Sequence, residues 1–378
     1  MLDVDFFVRL LRGYGVTSFF GVPDSLLKAF CAFVSDHIDE SHHVIAANEG
    51  NAVALACGYY LSTGSPALVY MQNSGLGNCV NPILSLADKE VYGIPFLMLI
   101  GWRGEPGGHD EPQHVKQGKI TNELLDVLDI KYEILPDNAE AVGALLHRAV
   151  EYMRLTRRPI AFIVRKNTFE EYVPMRNISK SSRMRREDAL CAVVENLGKD
   201  SVVVATTGHI SRELFECRER RREPHDLDFL CVGAMGHASS IAMGISLEYP
   251  NRRVVCLDGD GACIMHLGSM SIIGSKKLGD FKHIVFNNEA HGSVGGQPTV
   301  AGKVDLCSIA KACGYAHVYR VDTERELLKI LPEFMEFRGT CFLEIKVGIE
   351  ARRNLGRPNE RLDSVLGRFI SAVSPKDQ

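Results

Sequence analysis

The sequence predicts an α/β fold made of two doubly wound parallel-sheet domains. Twelve short apolar, β-branched segments recur along the 378 residues, six in each half, and segments of helical periodicity separate most of them. Strands that alternate with helices predict parallel sheets covered by helices on both faces. The length agrees with two domains, because a single hydrophobic core rarely organises a chain of this size.

Each predicted strand is short and is followed by a polar or helical segment. Those of the first half cover residues 17–20, 43–47, 67–71, 95–100, 132–135 and 159–164. Those of the second half cover residues 201–205, 227–232, 253–257, 283–286, 317–321 and 341–347. Between the two sets, residues 173–188 are polar, basic and poor in apolar periodicity, which is typical of a linker. We therefore expect domains at residues 1–172 and 189–378.

Composition excludes several classes of partner. The chain is 46% hydrophobic and 24% charged with a formal net charge of -4, so it has no general attraction for nucleic acid or anionic membrane. It contains no apolar run of the roughly 18 residues that span a bilayer, and its acidic first residues do not resemble a secretory signal. Its eleven cysteines occur singly, without a C-x-x-C pair, which favours a reducing cytoplasm.

The segment LDGDGA at 257–262 follows a predicted strand and places Asp260 between two glycines. An acid at the centre of a backbone phosphate cradle would repel the ligand unless a cation lay between them. Asn287 stands 27 residues later, at the end of the next predicted strand, where a parallel sheet can bring it beside Asp260. Two such oxygen ligands and a phosphate suit Mg²⁺. The alternatives are a plain β-turn and a dinucleotide-binding turn, although Ile264 stands where the latter requires its third glycine.

A glycine–acid–glycine triplet and an asparagine pair 25 residues later together form a known pattern: Gly259, Asp260, Gly261, Asn287 and Asn288. In this order and spacing they resemble the signature of the thiamine diphosphate enzymes. The resemblance implies that thiamine diphosphate is the cofactor and that its diphosphate is bound through Mg²⁺. It also implies that Asp260, the side-chain oxygen of Asn287 and the backbone carbonyl of Glu289 hold the metal.

Other positions of the second half resemble cofactor contacts of the same family. Met235 in GAMG matches the large aliphatic residue beneath the bent cofactor, and the carbonyl of Gly233 matches the acceptor for the pyrimidine amino group. Thr207 and Gly208 match the loop that contacts the diphosphate, although Ile210 stands where a hydroxyl is expected. A core methionine at a strand end remains the alternative interpretation of Met235.

The family also needs a carboxylic acid beside the aminopyrimidine ring, and the resemblance implies that Glu49 supplies it. An ordinary first-turn glutamate, favoured by the helix dipole, is the alternative. Glu49 lies on the first half and the diphosphate motif on the second, and relatives assemble the site from two subunits. The resemblance therefore implies at least a homodimer with active sites between subunits. The middle domain of relatives such as pyruvate decarboxylase has no room within residues 173–188.

Longer matches narrow the resemblance to the branch of 2-keto acid decarboxylases that acts on phosphonopyruvate; among them are FFGVPDSLLK, MQNSGLGNCVNP and NNEAHGSVGGQPT. The resemblance implies the non-oxidative conversion of phosphonopyruvate into phosphonoacetaldehyde and CO₂, a lyase reaction of phosphonate biosynthesis. Sulfopyruvate, the corresponding sulfonate, is the alternative substrate. A non-catalytic homologue that only binds the cofactor is a more distant alternative.

A substrate with a carboxylate and a phosphonate needs localised donors despite the acidic net charge. The segment WRGEPGGHDEPQHVK offers four of them on one predicted loop: Arg103, His109, His114 and Lys116. We expect these residues to bind the substrate. A zinc site built from the two histidines is an alternative, but Pro112 should interrupt the helix that would align them. An ordinary charged surface loop is the other.

Three more residues complete the expected site. Ser25 and Asn73 match positions at which relatives contact the reacting carbonyl or carboxylate. His291, in NNEAHG, is a titratable group near the reactive end of the cofactor and is expected to donate a proton late in the reaction. With Glu49, Ser25 and His291 are the expected catalytic residues.

Overall fold

The computed structural model describes residues 1–175, 183–352, 354–356, 358 and 360–374. It divides into two compact units, Met1–Asn177 and Ile178–Gln378. Each unit contains one six-stranded sheet, and all the strand pairs that the structure describes in the two sheets are parallel. The prediction of two α/β domains with six strands each is confirmed.

The first unit has the strand order β2-β1-β3-β4-β6-β5. Its strands are β1 Phe19–Gly21, β2 His43–Ile45, β3 Leu68–Gln72, β4 Leu97–Gly101, β5 Lys131–Ile134 and β6 Ile160–Val164. Its helices are α1 Val4–Gly13, α2 Lys28–His37, α3 Glu49–Thr63, α4 Leu76–Pro82, α5 Pro112–Val127 and α6 Ala139–Thr156. A short 3₁₀ turn, Asn73–Gly75, precedes α4, and a π-helical turn, Ile83–Ala87, follows it.

The second unit has the strand order β11-β12-β10-β9-β7-β8. Its strands are β7 Val202–Ala205, β8 Asp228–Leu230, β9 Val254–Gly259, β10 Asp280–Asn287, β11 His317–Val321 and β12 Gly339–Lys346. Its helices are α7 Arg186–Glu195, α8 His209–Arg221, α9 Ala238–Glu248, α10 Asp260–Met265, α11 Gly268–Ser275, α12 Leu306–Cys313, α13 Glu324–Glu336 and α14 Leu362–Val373. A 3₁₀ turn covers Val300–Gly302.

The two units share one topology. Counted within its own unit and read from the β8 edge, the second sheet runs 2-1-3-4-6-5, which is the order of the first sheet. In both sheets the second strand lies on one side of the first strand, and the third to sixth strands lie on its other side. The order in which strands are added to the sheet therefore reverses between the first and third strands. Open α/β sheets bind ligands at such a switch point, outside the carboxyl ends of the strands. Residues that follow the first, third and fourth strands of each unit are therefore best placed to form a site.

Successive side chains of each strand point to opposite faces of the sheet, so each unit has one core layer on either face. In β3, Leu68 and Tyr70 pack against α1, α2 and α6, whereas Val69 and Met71 pack against the opposite layer with α3 and α4. The second unit has the same arrangement, with α7, α8 and α13 on one face of its sheet. Helices α9, α11, α12 and α14 cover the other face. Burial on both faces explains why the strands are nearly continuous apolar runs.

Three sequence expectations concern the connections and the cysteines. The linker expected at residues 173–188 lies partly outside the described residues, and α7 already begins at Arg186 within it. All eleven cysteines are free, and nine of them are buried. No helix of the described chain is both long enough and apolar enough to cross a membrane.

Candidate functional site

The glycine–acid–glycine segment lies where β9 ends and α10 begins. In the parallel register, Gly259 of β9 pairs with Phe286 of β10, so the next residues, Asp260 and Asn287, leave the sheet at the same edge. Asp260 is the first residue of α10 and is only 3% exposed. Asn287 is the last residue of β10 and is fully buried. The side-by-side arrangement expected from the 27-residue spacing follows from this register.

Asp260 carries a charge that the protein alone stabilises poorly. Burial raises the pKa of its carboxyl to about 6, against the opposing effect of a hydrogen bond from the Thr299 hydroxyl and of backbone N–H groups at Asp260, Gly261 and Asn288. A buried carboxylate of this kind is usually compensated by a cation. Thr299 was not predicted as a site residue, although it ends the matched segment NNEAHGSVGGQPT, because its contact with Asp260 joins residues 39 positions apart.

The side-chain amide of Asn287 has a fixed orientation. Its Nδ2 donates to Oε1 of Glu344 on β12 at 2.7 Å, and its Oδ1 accepts the backbone N–H of Glu289 at 3.0 Å. The amide oxygen therefore points away from β12, towards the turn that follows β10. Its second lone pair leaves it able to bind a metal ion as well.

Glu289 adopts a left-handed backbone conformation, with φ at +60°. Its carbonyl oxygen accepts the N–H of Thr299 at 3.0 Å and keeps a second lone pair. Burial disfavours its carboxylate, but Lys346 and Arg183, both within 3.1 Å, outweigh that cost and lower its pKa. One carboxylate, one amide oxygen and one carbonyl thus suit Mg²⁺, which prefers oxygen ligands and keeps room for phosphate.

Gly261, Met235 and His291 lie together beside this segment. A Cβ atom added to Gly261 would lie 3.2 Å from His291 ring atoms and 3.4 Å from the terminal carbon of Met235. Burial lowers the pKa of His291 to about 4, so its imidazole is neutral at neutral pH. These three sequence-predicted residues form one wall of the candidate site. Asn288 lies at its edge, where its Oδ1 accepts the N–H of Ala290 at 3.1 Å.

Thr207 and Gly208 follow β7, at the switch point of the second sheet. The Thr207 hydroxyl donates to the carbonyl of Val232 at 3.0 Å, which ties this loop to the segment that contains Gly233. Gly208 has φ at +99° and caps the N-terminus of α8, a conformation that favours glycine. Ile210, which replaces the expected hydroxyl, packs at 3.5 Å from the position of a Gly259 Cβ atom.

Glu49 is the first residue of α3, as predicted, and is 6% exposed. Its Oε2 accepts a 2.7 Å hydrogen bond from Nδ2 of Asn78, and its side chain packs against Gly75. A Cβ atom at Gly75 would lie 2.5 Å from the Glu49 side chain, so only glycine leaves room for this carboxyl. Neither Gly75 nor Asn78 was predicted as a site residue, although both lie in the matched segment MQNSGLGNCVNP.

Arg103 follows β4 and reaches the loop that follows β1. Its Nη1 donates to the Ser25 hydroxyl at 2.8 Å, while Nε and Nη2 donate to the two carboxylate oxygens of Asp110 at 2.8 and 2.5 Å. Asn73, which follows β3, holds the Arg103 backbone, since its Nδ2 donates to the carbonyl and its Oδ1 accepts the N–H. Asn73 was expected to contact substrate, but its polar atoms already bind Arg103 and Thr121.

The other predicted substrate residues occupy different environments. His114 is buried in the first turn of α5, and its Nδ1 lies 2.9 Å from Asp110 Oδ1. His109 and Lys116 are exposed. Pro112 begins α5, because the first turn of a helix tolerates a missing N–H. His109 therefore lies outside the helix that contains His114, and the expectation that no helix aligns the two histidines is confirmed.

The zinc alternative for His109 and His114 gains no support. Within the described part of the chain, the one group of three His, Cys, Asp or Glu side chains close enough to share an ion is Cys256, Asp258 and His283. That group is fully buried in the core below β9 and β10. Asp258 uses one oxygen to accept the N–H of Gly259 at 2.9 Å, which steadies the turn before Asp260.

Comparison with known proteins defines the class. Residues 4–130 match the model of the thiamine pyrophosphate enzyme N-terminal TPP binding domain, and residues 206–345 match that of the C-terminal TPP binding domain. The chain therefore belongs to the thiamine pyrophosphate enzymes, another name for the thiamine diphosphate enzymes. The matched regions contain the candidate residues of both units, from Ser25 to His291.

The relatives that match almost the whole chain are decarboxylases. Phosphonopyruvate decarboxylase of Streptomyces viridochromogenes is 34% identical, over 96% of this chain and 93% of its own length. That of Streptomyces hygroscopicus is 32% identical, over 95% and 91%. Sulfopyruvate decarboxylase of Methanosarcina acetivorans is 26% identical, over 89% of both chains. The resemblance inferred from the motifs is confirmed along the chain, and the chain is an enzyme of this decarboxylase group.

Proposed function

We propose that the protein is a thiamine diphosphate- and Mg²⁺-dependent decarboxylase that converts phosphonopyruvate into phosphonoacetaldehyde and CO₂ in phosphonate biosynthesis. The observation that carries the proposal is the buried Asp260 carboxylate beside Asn287 at the ends of β9 and β10. Burial raises the pKa of this carboxyl, which a bound cation would offset, and the relatives at 34% and 32% identity are phosphonopyruvate decarboxylases. Sulfopyruvate is the second candidate substrate because the relative at 26% identity acts on it.

Asp260, Asn287 and the carbonyl of Glu289 would hold Mg²⁺, and Thr207 and Gly208 would contact the diphosphate. When bound, thiamine diphosphate supplies a carbon nucleophile and an acceptor for the electrons that the departing carboxylate leaves behind. Glu49 would hold a proton on the pyrimidine ring, in a pocket that Gly75 keeps open and Asn78 steadies. The balanced reaction releases CO₂ and takes up one proton at the former carboxylate-bearing carbon.

His291 and Ser25 would contact the reacting end of the substrate, His291 as a proton donor and Ser25 as a hydrogen-bond donor. Because burial lowers its pKa, His291 acts as a neutral imidazole, which can give a proton from one ring nitrogen while it receives another on the second. The Ser25 hydroxyl is oriented by Arg103, so its own hydrogen is free to bond to the keto oxygen. Arg103, His114, His109 and Lys116 would supply hydrogen-bond donors to the anionic groups of the substrate.

We further propose that the active form is a homodimer or larger oligomer with sites between subunits. Four of the seven exposed residues of α3, the helix that begins with Glu49, are small or apolar: Ala54, Leu55, Gly58 and Leu61. Leu61 is 70% exposed in the single chain. A face of this kind favours burial against another protein surface. The free cysteines also favour a reducing compartment, and we propose that the enzyme works in the cytoplasm.

Product identification tests the proposed reaction. The purified protein with thiamine diphosphate and Mg²⁺ should release one CO₂ and one phosphonoacetaldehyde per phosphonopyruvate. ³¹P NMR detects the phosphonoacetaldehyde. Sulfopyruvate assayed in parallel should turn over more slowly, and equal kcat/KM values would contradict the substrate choice. Glu49→Ala should still bind thiamine diphosphate but lose CO₂ release, and full activity of this variant would contradict its role.

Complementation tests the shared site. Glu49→Ala and Asp260→Ala proteins should each be inactive, because one lacks the acid and the other lacks the metal ligand. Co-expressed with different affinity tags and purified as a mixed dimer, they should regain up to about half of the wild-type activity, since one of two sites then contains both residues. Failure of the mixed dimer to regain activity would contradict sites formed between subunits.

A further inference from the structure

Asp110 joins the loop that follows β4, residues 103–111, to α5. Its two carboxylate oxygens accept five hydrogen bonds, two from the Arg103 guanidinium and one each from the Gly104 N–H, the Glu111 N–H and Nδ1 of His114. The four bonds other than that from Arg103 Nη2 are between 2.8 and 2.9 Å. The side chain is only 17% exposed. A single carboxylate therefore fixes both ends of the loop 103–111.

The guanidinium of Arg103 is held from two sides. Asp110 takes Nε and one Nη2 hydrogen, and Ser25 takes one Nη1 hydrogen. A guanidinium has five N–H donors, so two remain for a ligand. Asn73 fixes the backbone of the same residue through both of its polar groups. Arg103 is thus fixed at its main chain and at its guanidinium group, and two guanidinium N–H groups remain in fixed directions to bind a ligand.

The chemistry of the reaction indicates which end of the substrate such an arginine can bind. The carboxylate loses its charge when it leaves as CO₂, so a strong fixed cation on it would stabilise the ground state and oppose the reaction. The phosphonate keeps its charge throughout, so a cation on it binds the ground state and the transition state equally. Tetrahedral phosphorus oxyanions also match the forked N–H geometry of arginine.

We propose that Asp110 is a positioning residue that holds the Arg103 guanidinium beside Ser25, so that its two remaining N–H groups bind the phosphonate oxygens of the substrate. This inference rests on the proposed function and extends it to the origin of selectivity. Loss of Asp110 should weaken binding of the phosphonate more than it slows the chemical step. A merely structural role in the loop would instead reduce all activities together.

Steady-state kinetics with two substrates test the inference. Asp110→Asn should raise KM for phosphonopyruvate by about tenfold or more, and this factor should exceed any decrease in kcat that follows from the contact of Arg103 with Ser25. Its kcat/KM for pyruvate, which lacks the phosphonate, should fall by a much smaller factor, because only the contact of Arg103 with Ser25 then affects the reaction. Glu105→Gln, the same change at an acid of the same loop that pairs with Arg165, should behave like wild type. Equal losses on both substrates would overturn the inference.

A double-mutant cycle tests whether Asp110 acts through Arg103. In an Arg103→Ala background, Asp110→Asn should produce no further increase in KM, whereas independent roles would multiply the two effects and overturn the inference. Calorimetric titration with 3-phosphonopropionate, which retains both anionic groups but has no keto group, should show the same loss of affinity without turnover. Wild-type binding of this analogue by a folded Asp110→Asn protein would contradict the inference. Absence of phosphonopyruvate turnover by the wild type would instead contradict the proposed function.

Discussion

The amide of Asn287 donates from Nδ2 to Oε1 of Glu344 at 2.7 Å, and both residues are fully buried. A carboxylate only accepts hydrogen bonds, so this contact fixes which end of the amide faces β12. Glu344 also accepts from Nε of Arg320 at 2.8 Å and lies 3.3 Å from Nζ of Lys346. A charged pair on the neighbouring strands therefore orients an oxygen that we propose as a metal ligand.

Glu344→Ala should weaken Mg²⁺ binding. Without its partner the Asn287 amide can rotate, and residues that orient metal ligands commonly change metal affinity by about 10- to 100-fold. Glu344→Gln keeps an acceptor oxygen and should retain more affinity. Calorimetric titration of Mg²⁺ in saturating thiamine diphosphate measures the difference, with Glu336→Gln at the exposed end of α13 as control. Unchanged Mg²⁺ affinity in the alanine variant would exclude this orienting role.

Asp260→Asn should abolish Mg²⁺ binding but increase the thermal stability of the metal-free protein. The charged carboxylate destabilises the folded apoprotein, because burial raises its pKa to about 6 and at pH 7.5 the group is ionised. The neutral amide should therefore raise the melting temperature of the metal-free protein and remove the stabilisation by Mg²⁺ with thiamine diphosphate. Thermal unfolding at pH 7.5 with and without both ligands measures these effects. If Mg²⁺ with thiamine diphosphate raised the melting temperature of the variant as much as that of the wild type, the assignment of Asp260 as a metal ligand would be contradicted.

The fold and the main motif could be predicted because each follows from local pattern. All twelve strands were predicted from short apolar runs, and the register of β9 and β10 follows from one strand and its crossover. Contacts that complete the site join residues with no fixed spacing. Glu344 lies 57 residues from Asn287, and Asn78 lies 29 from Glu49. Asp110 was in a quoted segment, but its partners depend on a loop in which Gly104 has φ at +70°.

Gly75→Ala should displace Glu49 from its pocket. An added Cβ atom would lie 2.5 Å from the Glu49 side chain, closer than any relaxed contact, so the carboxyl must move. We expect a loss of at least about tenfold in kcat with the fold retained. Gly143→Ala in α6 is the matched control, because its Cβ atom meets nothing within 4 Å and helix propensity should stabilise it by about 0.5 to 1 kcal/mol. Full activity of a folded Gly75→Ala protein would refute the constraint.

Asp110→Asn should destabilise the protein at neutral pH but not in acid. Hydrogen bonds from Arg103, more than any other cause, hold the pKa of Asp110 well below its ordinary value, although burial opposes them. A lowered folded-state pKa contributes stability above the unfolded-state pKa of about 3.9, and that contribution is lost as the pH falls below it. Urea unfolding followed by circular dichroism should therefore show a gap between wild type and variant that is constant from pH 7 to 5 and narrows below about pH 4. The exposed Asp39→Asn substitution should show a much smaller gap at every pH, and a gap for Asp110→Asn that widens in acid would contradict the ion pair with Arg103.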